Sequence, residues 1–207
     1  DDIYGRLCYE GQPPPALAAD DHNGVVLHAG SFSKSLLPGV RIGYVAAAPE
    51  LIARLTTAKQ ASDLCSPLLM QRAMAIFFQH GRLATHLRRA LPRYRERRDA
   101  LLTAMARFFP SGLRWTTPRG GYCVWVALPA GISTTDLYMA AVERGVAFAP
   151  GDVFFSGPPP RPYMRLAFIQ TPDVINEAVE ILGDVIGAQL ARRPFKAPAM
   201  ADYVPLV

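Results

Sequence analysis

Cysteine is scarce, with only Cys8, Cys65 and Cys123 in a chain of 207 residues. An odd number at wide spacing, without a C-x-x-C pair, fits neither a zinc site nor a disulfide framework. The three read as small buried or half-buried hydrophobes of a reducing compartment. Long apolar runs are also missing. None approaches the roughly 20 residues that a membrane helix needs, and no signal peptide precedes the first strand, so no membrane partner is expected and the cytoplasm is the expected location. No internal repeat is visible. What is plentiful is ordinary apolar residue content: half of the chain is hydrophobic and 19% is charged, a globular composition with enough material for a core.

The net charge of +5 comes from 22 basic and 17 acidic residues. Much of the excess lies in Arg82, Arg88, Arg89, Arg93, Arg95, Arg97 and Arg98, offset in that run by Glu96. Such a stripe could meet nucleic acid. The same segment, however, spaces Leu83, Leu87, Leu91, Tyr94, Leu101, Leu102, Met105 and Phe108 mostly three or four apart, as on one apolar helical face. The arginines are then the wet side of that helix.

The stretch Ser31-Phe32-Ser33-Lys34-Ser35-Leu36-Leu37-Pro38-Gly39-Val40-Arg41-Ile42-Gly43-Tyr44 carries the chemistry. Apolar runs at 25–29 and 41–48 flank it and predict two buried strands with Lys34 on the connection between them. Hydroxyls at Ser31, Ser33 and Ser35, glycines at 30 and 39, and a second cation at Arg41 suit a phosphate and a reactive amine. Hydroxyls and backbone N–H groups hold phosphate oxygens, a guanidinium grips two at once, and glycine lets the backbone come close. A nucleotide P-loop would need glycine where Ser33 stands. Ser31 and Lys34 satisfy a Ser-x-x-Lys acylation motif, but its Ser-Asp-Asn and Lys-Thr-Gly partners are absent.

The string resembles the lysine segment of the fold-type-I pyridoxal-5'-phosphate (PLP) enzymes, the aspartate aminotransferase superfamily. It is most similar to the aminoadipate transaminase group and the effector domains of MocR/GntR-type regulators, with the pattern S-F-S-K-x-L-x-P-G-x-R-x-G-Y. The resemblance implies that Lys34 forms the Schiff base with the cofactor, and that Ser31, Ser33 and Arg41 bind its phosphate. Schiff-base lysines are activated by burial or by a neighbouring cation. Asp1-Asp2-Ile3-Tyr4 resembles the family's D-x-x-Y segment, which implies Asp1 against the pyridine nitrogen and Tyr4 on the ring oxygen. A carboxylate there keeps the ring protonated as an electron sink.

Three later stretches resemble the family too: Gly120-Gly121-Tyr122-Cys123-Val124-Trp125, Ala149-Pro150-Gly151-Asp152-Val153-Phe154, and Met164-Arg165-Leu166-Ala167-Phe168. The last implies that Arg165 clamps the substrate's α-carboxylate. Arg165 also interrupts an apolar strand, where burial would be costly without an anionic partner.

The expected fold is α/β: PLP-dependent transferase fold type I, a partial large domain plus a small C-terminal α/β domain. Residues 1–65 read as the C-terminal part of the PLP-binding domain, an open parallel sheet reduced to about two strands; 66–110 as connecting helices; 111–191 as the small domain; and 192–207 as a tail rich in proline and alanine. Helices are predicted at about 49–61, 67–81, 83–109 with a kink at Pro92, 134–144 capped by Ser133, and 172–191. Strands are predicted at 122–128, 146–149 and 163–169.

The resemblance implies a PLP-dependent aminotransferase that moves an amino group between an amino acid and a 2-oxo acid. It further implies a homodimer and a chain lacking the N-terminal half of the family domain. The alternative is a PLP- or amino-acid-sensing effector domain of a MocR/GntR-type transcriptional regulator, with DNA bound only through a preceding domain. A PLP lyase or decarboxylase stands third, since one electron sink serves several bond cleavages.

Overall fold

The computed structural model describes residues 1–191, so the expected tail at 192–207 lies outside the described residues. The described chain divides into two compact units: Asp1–Arg93 with Arg119–Gly121, and Tyr94–Pro118 with residues 122–191.

The first unit holds strands β1 (His28–Ser31) and β2 (Gly43–Ala46), helices α1 (Pro49–Asp63) and α2 (Leu68–Gln79), and the start of α3 (Arg82–Phe108). Both strands are shorter than predicted, for local reasons. The Asp21 carboxylate accepts the N–H groups of Val26 at 2.7 Å, Asn23 at 3.1 Å and Val25 at 3.2 Å, which spends two amides of the apolar run on a turn. At the other end Arg41 sits in the left-handed region (φ 51°) after a 3-10 turn, Pro38–Val40, so β2 begins only at Gly43. The strands pair antiparallel, His28 with Ala46 through Ser31 with Gly43, instead of belonging to the expected parallel sheet. A connection as short as residues 32–42 can return the chain only antiparallel, since a parallel return needs a crossover.

Proline opens α1, which buries no residue, and Gly81 (φ 63°) follows the end of α2. Helix α2 turns Met70, Met74 and Phe78 to one side, and there they pack with Phe32, Leu36, Val40, Ile42 and Tyr44. This cluster is the core of the unit around the lysine loop. Residues Arg119–Gly121 join the same unit: the Gly121 N–H donates to the Leu7 carbonyl at 3.0 Å, and Gly120 bridges to Cys8. A Cβ on Gly120 would stand 2.8 Å from that carbonyl, so only glycine lets the segment lie so close.

The second unit is a four-stranded antiparallel sheet in the order β3 (Arg114–Trp115), β4 (Cys123–Ala127), β6 (Tyr163–Ala167), β5 (Ala149–Pro150), with helices α4 (Thr134–Glu143), α5 (Pro172–Ala191) and the C-terminal part of α3. Val124 and Val126 of β4 and Met164 and Leu166 of β6 are buried with Leu101, Met105, Leu137, Val179, Leu182 and Ile186 from the helices. The Ser133 hydroxyl caps α4 by accepting the Asp136 N–H, as the sequence predicts. The strand predicted at 146–149 shrinks to Ala149–Pro150 because α4 ends in a Schellman motif: Gly145 (φ 84°) donates to Val142, and Val146 donates to Ala141. The N–H of Val146 is thereby bound to its own helix.

Helix α3 continues through Pro92 without interruption. Most of its arginines are wet, as expected, but Arg98 is not: it is only 4% exposed, pairs with Asp99 at 2.7 Å and donates to the Pro118 carbonyl at 2.8 Å. Cys8 and Cys123 are half-buried as predicted, whereas Cys65 is exposed at the end of α1. Among the described residues, no helix is long and apolar enough to cross a membrane.

Candidate functional site

In the first unit the lysine loop is built on a spacing of four. Phe32, Leu36 and Val40 point into the apolar cluster, and the polar residues between them are left on the loop. The Phe32 carbonyl accepts N–H groups from Leu36 at 2.9 Å and Leu37 at 3.3 Å, and the Phe32 N–H donates to the Ile42 carbonyl at 3.2 Å. The Phe32 ring packs on Phe78 at 4.7 Å and Tyr44 at 5.5 Å, with the Arg6 guanidinium over it at 5.7 Å. The residue between Ser31 and Ser33 is thus the anchor of the loop.

The predicted phosphate ligands lie on and beside this anchored turn. The Ser31 hydroxyl accepts the Ser33 N–H at 3.1 Å, which fixes the oxygen and leaves its own hydrogen to donate outward. Lys34 is half-buried and Arg41 exposed. The left-handed backbone of Arg41 is unusual for a residue with a side chain, and such strain gathers at functional sites. Ser35 adds a signal that the sequence does not show: it is buried, and its Oγ has no hydrogen-bond partner. Hydroxyls, an amine and a guanidinium, with no carboxylate between positions 30 and 44, make a donor set that fits a phosphorylated aldehyde.

The D-x-x-Y segment lies beside β1, where the Asp2 N–H donates to the Ala29 carbonyl at 2.8 Å. The two acids are used differently. The Asp2 carboxylate stands 3.7 Å from His28 Nε2 and occupies the space that a Cβ on Gly5 would need, while Asp1 is exposed. The His28 ring stacks on Tyr44 at 5.9 Å. Tyr4 is 38% exposed. The Asp2–His28 pair is a feature that sequence reasoning missed, because neither residue belongs to a motif.

In the second unit Arg165 sits in the middle of β6, opposite Trp125 of β4 and Ala149 of β5. The strand alternates: Met164 and Leu166 face the core, while Tyr163, Arg165 and Ala167 face the other way. The expected cost of burying Arg165 is therefore not incurred. Its guanidinium lies 4.5 Å from the centroid of the Phe154 ring. An open cleft of about 430 Å³ elsewhere in this unit, lined by Ser133, Thr135, Asp152 and Arg161 among others, contains none of the predicted site residues.

The model of the family "Aminotransferase class I and II" matches residues 1–182. The chain is 39% identical over 193 residues to aromatic-amino-acid aminotransferase 1 of Thermococcus litoralis, covering 93% of this chain and 46% of that protein. It is 32% identical over 183 residues to the HTH-type transcriptional regulator TauR of Rhodobacter capsulatus, covering 86% of this chain and 37% of the regulator. Among solved structures it is similar to LysN, the α-aminoadipate aminotransferase of Thermus thermophilus complexed with N-(5'-phosphopyridoxyl)-L-leucine. There the TM-score is 0.87 and the identity 36%, over 92% of this chain and 50% of LysN. The chain thus spans about half the length of the aminotransferases it matches.

Proposed function

The chain belongs to the class I and II aminotransferase family, and we propose that within it the protein is a PLP-dependent aminotransferase exchanging an amino group between an amino acid and a 2-oxo acid. The observation that carries this reading is the anchored lysine loop, where Ser31, Ser33, Lys34 and Arg41 accompany one apolar-pinned turn. When bound, PLP supplies the aldehyde that captures the amino group and the ring that accepts the electron pair.

The chain's own residues then have distinct tasks. The amine of Lys34 holds the cofactor and, once released, moves the proton at the substrate's α carbon, a general acid–base role. With the cofactor bound, Asp1 would keep the ring nitrogen protonated and Tyr4 would donate its hydroxyl to the ring oxygen. The hydroxyls of Ser31 and Ser33 and the Arg41 guanidinium would hold the phosphate. Arg165 takes the α-carboxylate with paired N–H donors. In the net reaction the donor's α carbon becomes a carbonyl, and the carbonyl carbon of the acceptor takes up the nitrogen and a hydrogen. We infer a homodimer as the working state.

The test is transamination by the PLP-loaded protein and its Lys34→Ala variant: loss of at least a hundredfold in rate is expected from removing a general acid–base group, and full activity in the variant would refute the assignment. The similarity to TauR supports a second reading, a ligand-sensing domain of a regulator. A basic helix-turn-helix encoded ahead of Asp1 would favour it.

A further inference from the structure

We propose that Phe154 is a positioning residue for Arg165, presenting the guanidinium to the substrate's α-carboxylate through a cation–π contact; this rests on the role given to Arg165 above. The ring centroid is 4.5 Å from the Arg165 Cζ, within the ~6 Å reach of a cation–π contact. A ring that bears on the centre of the guanidinium uses none of its five N–H donors, which stay at the edge for a bidentate carboxylate. A carboxylate partner in the protein would instead compete with the substrate. Arg165 has no ion pair of this kind among the described residues, and its long side chain would otherwise sample many rotamers.

The position of Phe154 is itself determined by three neighbours. It ends a 3-10 turn, Gly151–Phe154, that follows β5. Gly151 is pressed onto Tyr163 of β6 so closely that any Cβ would collide with the tyrosine. Asp152 accepts the Thr134 hydroxyl at 2.5 Å, tying the turn to the start of α4. Trp125 meets the Phe154 ring edge-on at 5.5 Å and stacks on Tyr163 at 5.2 Å. The turn, the cap of α4 and the face of β6 therefore agree on where the ring stands. The ring remains 47% exposed, so it serves as a platform and not as core.

The experiment compares the PLP-loaded wild type with Phe154→Leu and Phe154→Tyr, measuring KM and kcat for L-alanine, L-glutamate and L-phenylalanine, with cofactor absorbance and melting temperature as controls. Leucine keeps an apolar side chain but loses the ring face; tyrosine keeps the face. The proposal predicts that Phe154→Leu raises KM about two- to fivefold, the factor that ~0.5–1 kcal/mol of cation–π attraction corresponds to. The rise is the same for all three amino acids, because they share the α-carboxylate, with kcat nearly unchanged and Phe154→Tyr near wild type. Unequal effects among the three would place Phe154 against the substrate side chain and overturn the proposal, as would an unchanged KM in Phe154→Leu. If Arg165→Ala left KM unchanged, or the loaded wild type turned over none of the three, the reading of the site itself would fall.

Discussion

Gly30 and Tyr44 face each other across β1 and β2, so closely that a Cβ on residue 30 would collide with the hydroxyl end of the tyrosine ring. The same ring packs at 5.5 Å on Phe32, the residue that anchors the lysine loop. A glycine in the strand thus sets where Lys34 is presented, two contacts away.

Gly30→Ala therefore has a defined effect. Tyr44 must move, and its displacement loosens Phe32. Overpacking of this kind costs about 1–3 kcal/mol, to be read as a lowered midpoint in urea denaturation. PLP incorporation by the variant is expected to fall with it.

Arg41 offers a test in which stability and function separate. Its left-handed backbone costs roughly 1 kcal/mol in a residue with a Cβ, and glycine removes that cost. Arg41→Gly is predicted to leave the melting temperature at or above that of the wild type while weakening PLP binding, measured by fluorescence titration. A parallel loss of both would mean that Arg41 is there for the fold.

Asp21 gives a pH dependence. Its carboxyl is held below the usual carboxylate range, first by the Val26 N–H; desolvation, next in size, opposes this, and the N–H groups of Val25, Asn23 and Gly24 add to the lowering. A group whose folded pKa is depressed contributes stability above its unfolded pKa, near ~4, and that contribution fades as pH falls through the folded value. Asp21→Asn is predicted to destabilise the protein at pH 7 and to narrow its difference from wild type below pH ~4, as followed by urea midpoints across pH.

The motif residues were legible because they are chemical types at fixed spacing: serines, a lysine and an arginine around a glycine-marked turn. Helices α4 and α5 were legible from caps and periodicity, Ser133 and Pro172 among them. Strand ends were not, because other groups took the backbone donors: Asp21 captured the amides of Val25 and Val26, and the end of α4 captured that of Val146. The burial of Arg98 was hidden for a similar reason. A stripe of arginines gives no sign that one of them reaches a carbonyl twenty residues away, at Pro118. Phe154 stood out as the last residue of the Ala149–Phe154 stretch, but its contact with Arg165 did not, because nothing in the sequence brings a turn after β5 over a side chain of β6.

The central claim is that Lys34 is the anchor of PLP. Borohydride reduction of the PLP-treated protein, followed by peptide mapping by mass spectrometry, tests it most directly. The account predicts one pyridoxyl adduct, on Lys34, absent without reduction and absent in Lys34→Ala. An adduct on Lys59 alone, or on no lysine of the cofactor-saturated protein, would contradict it.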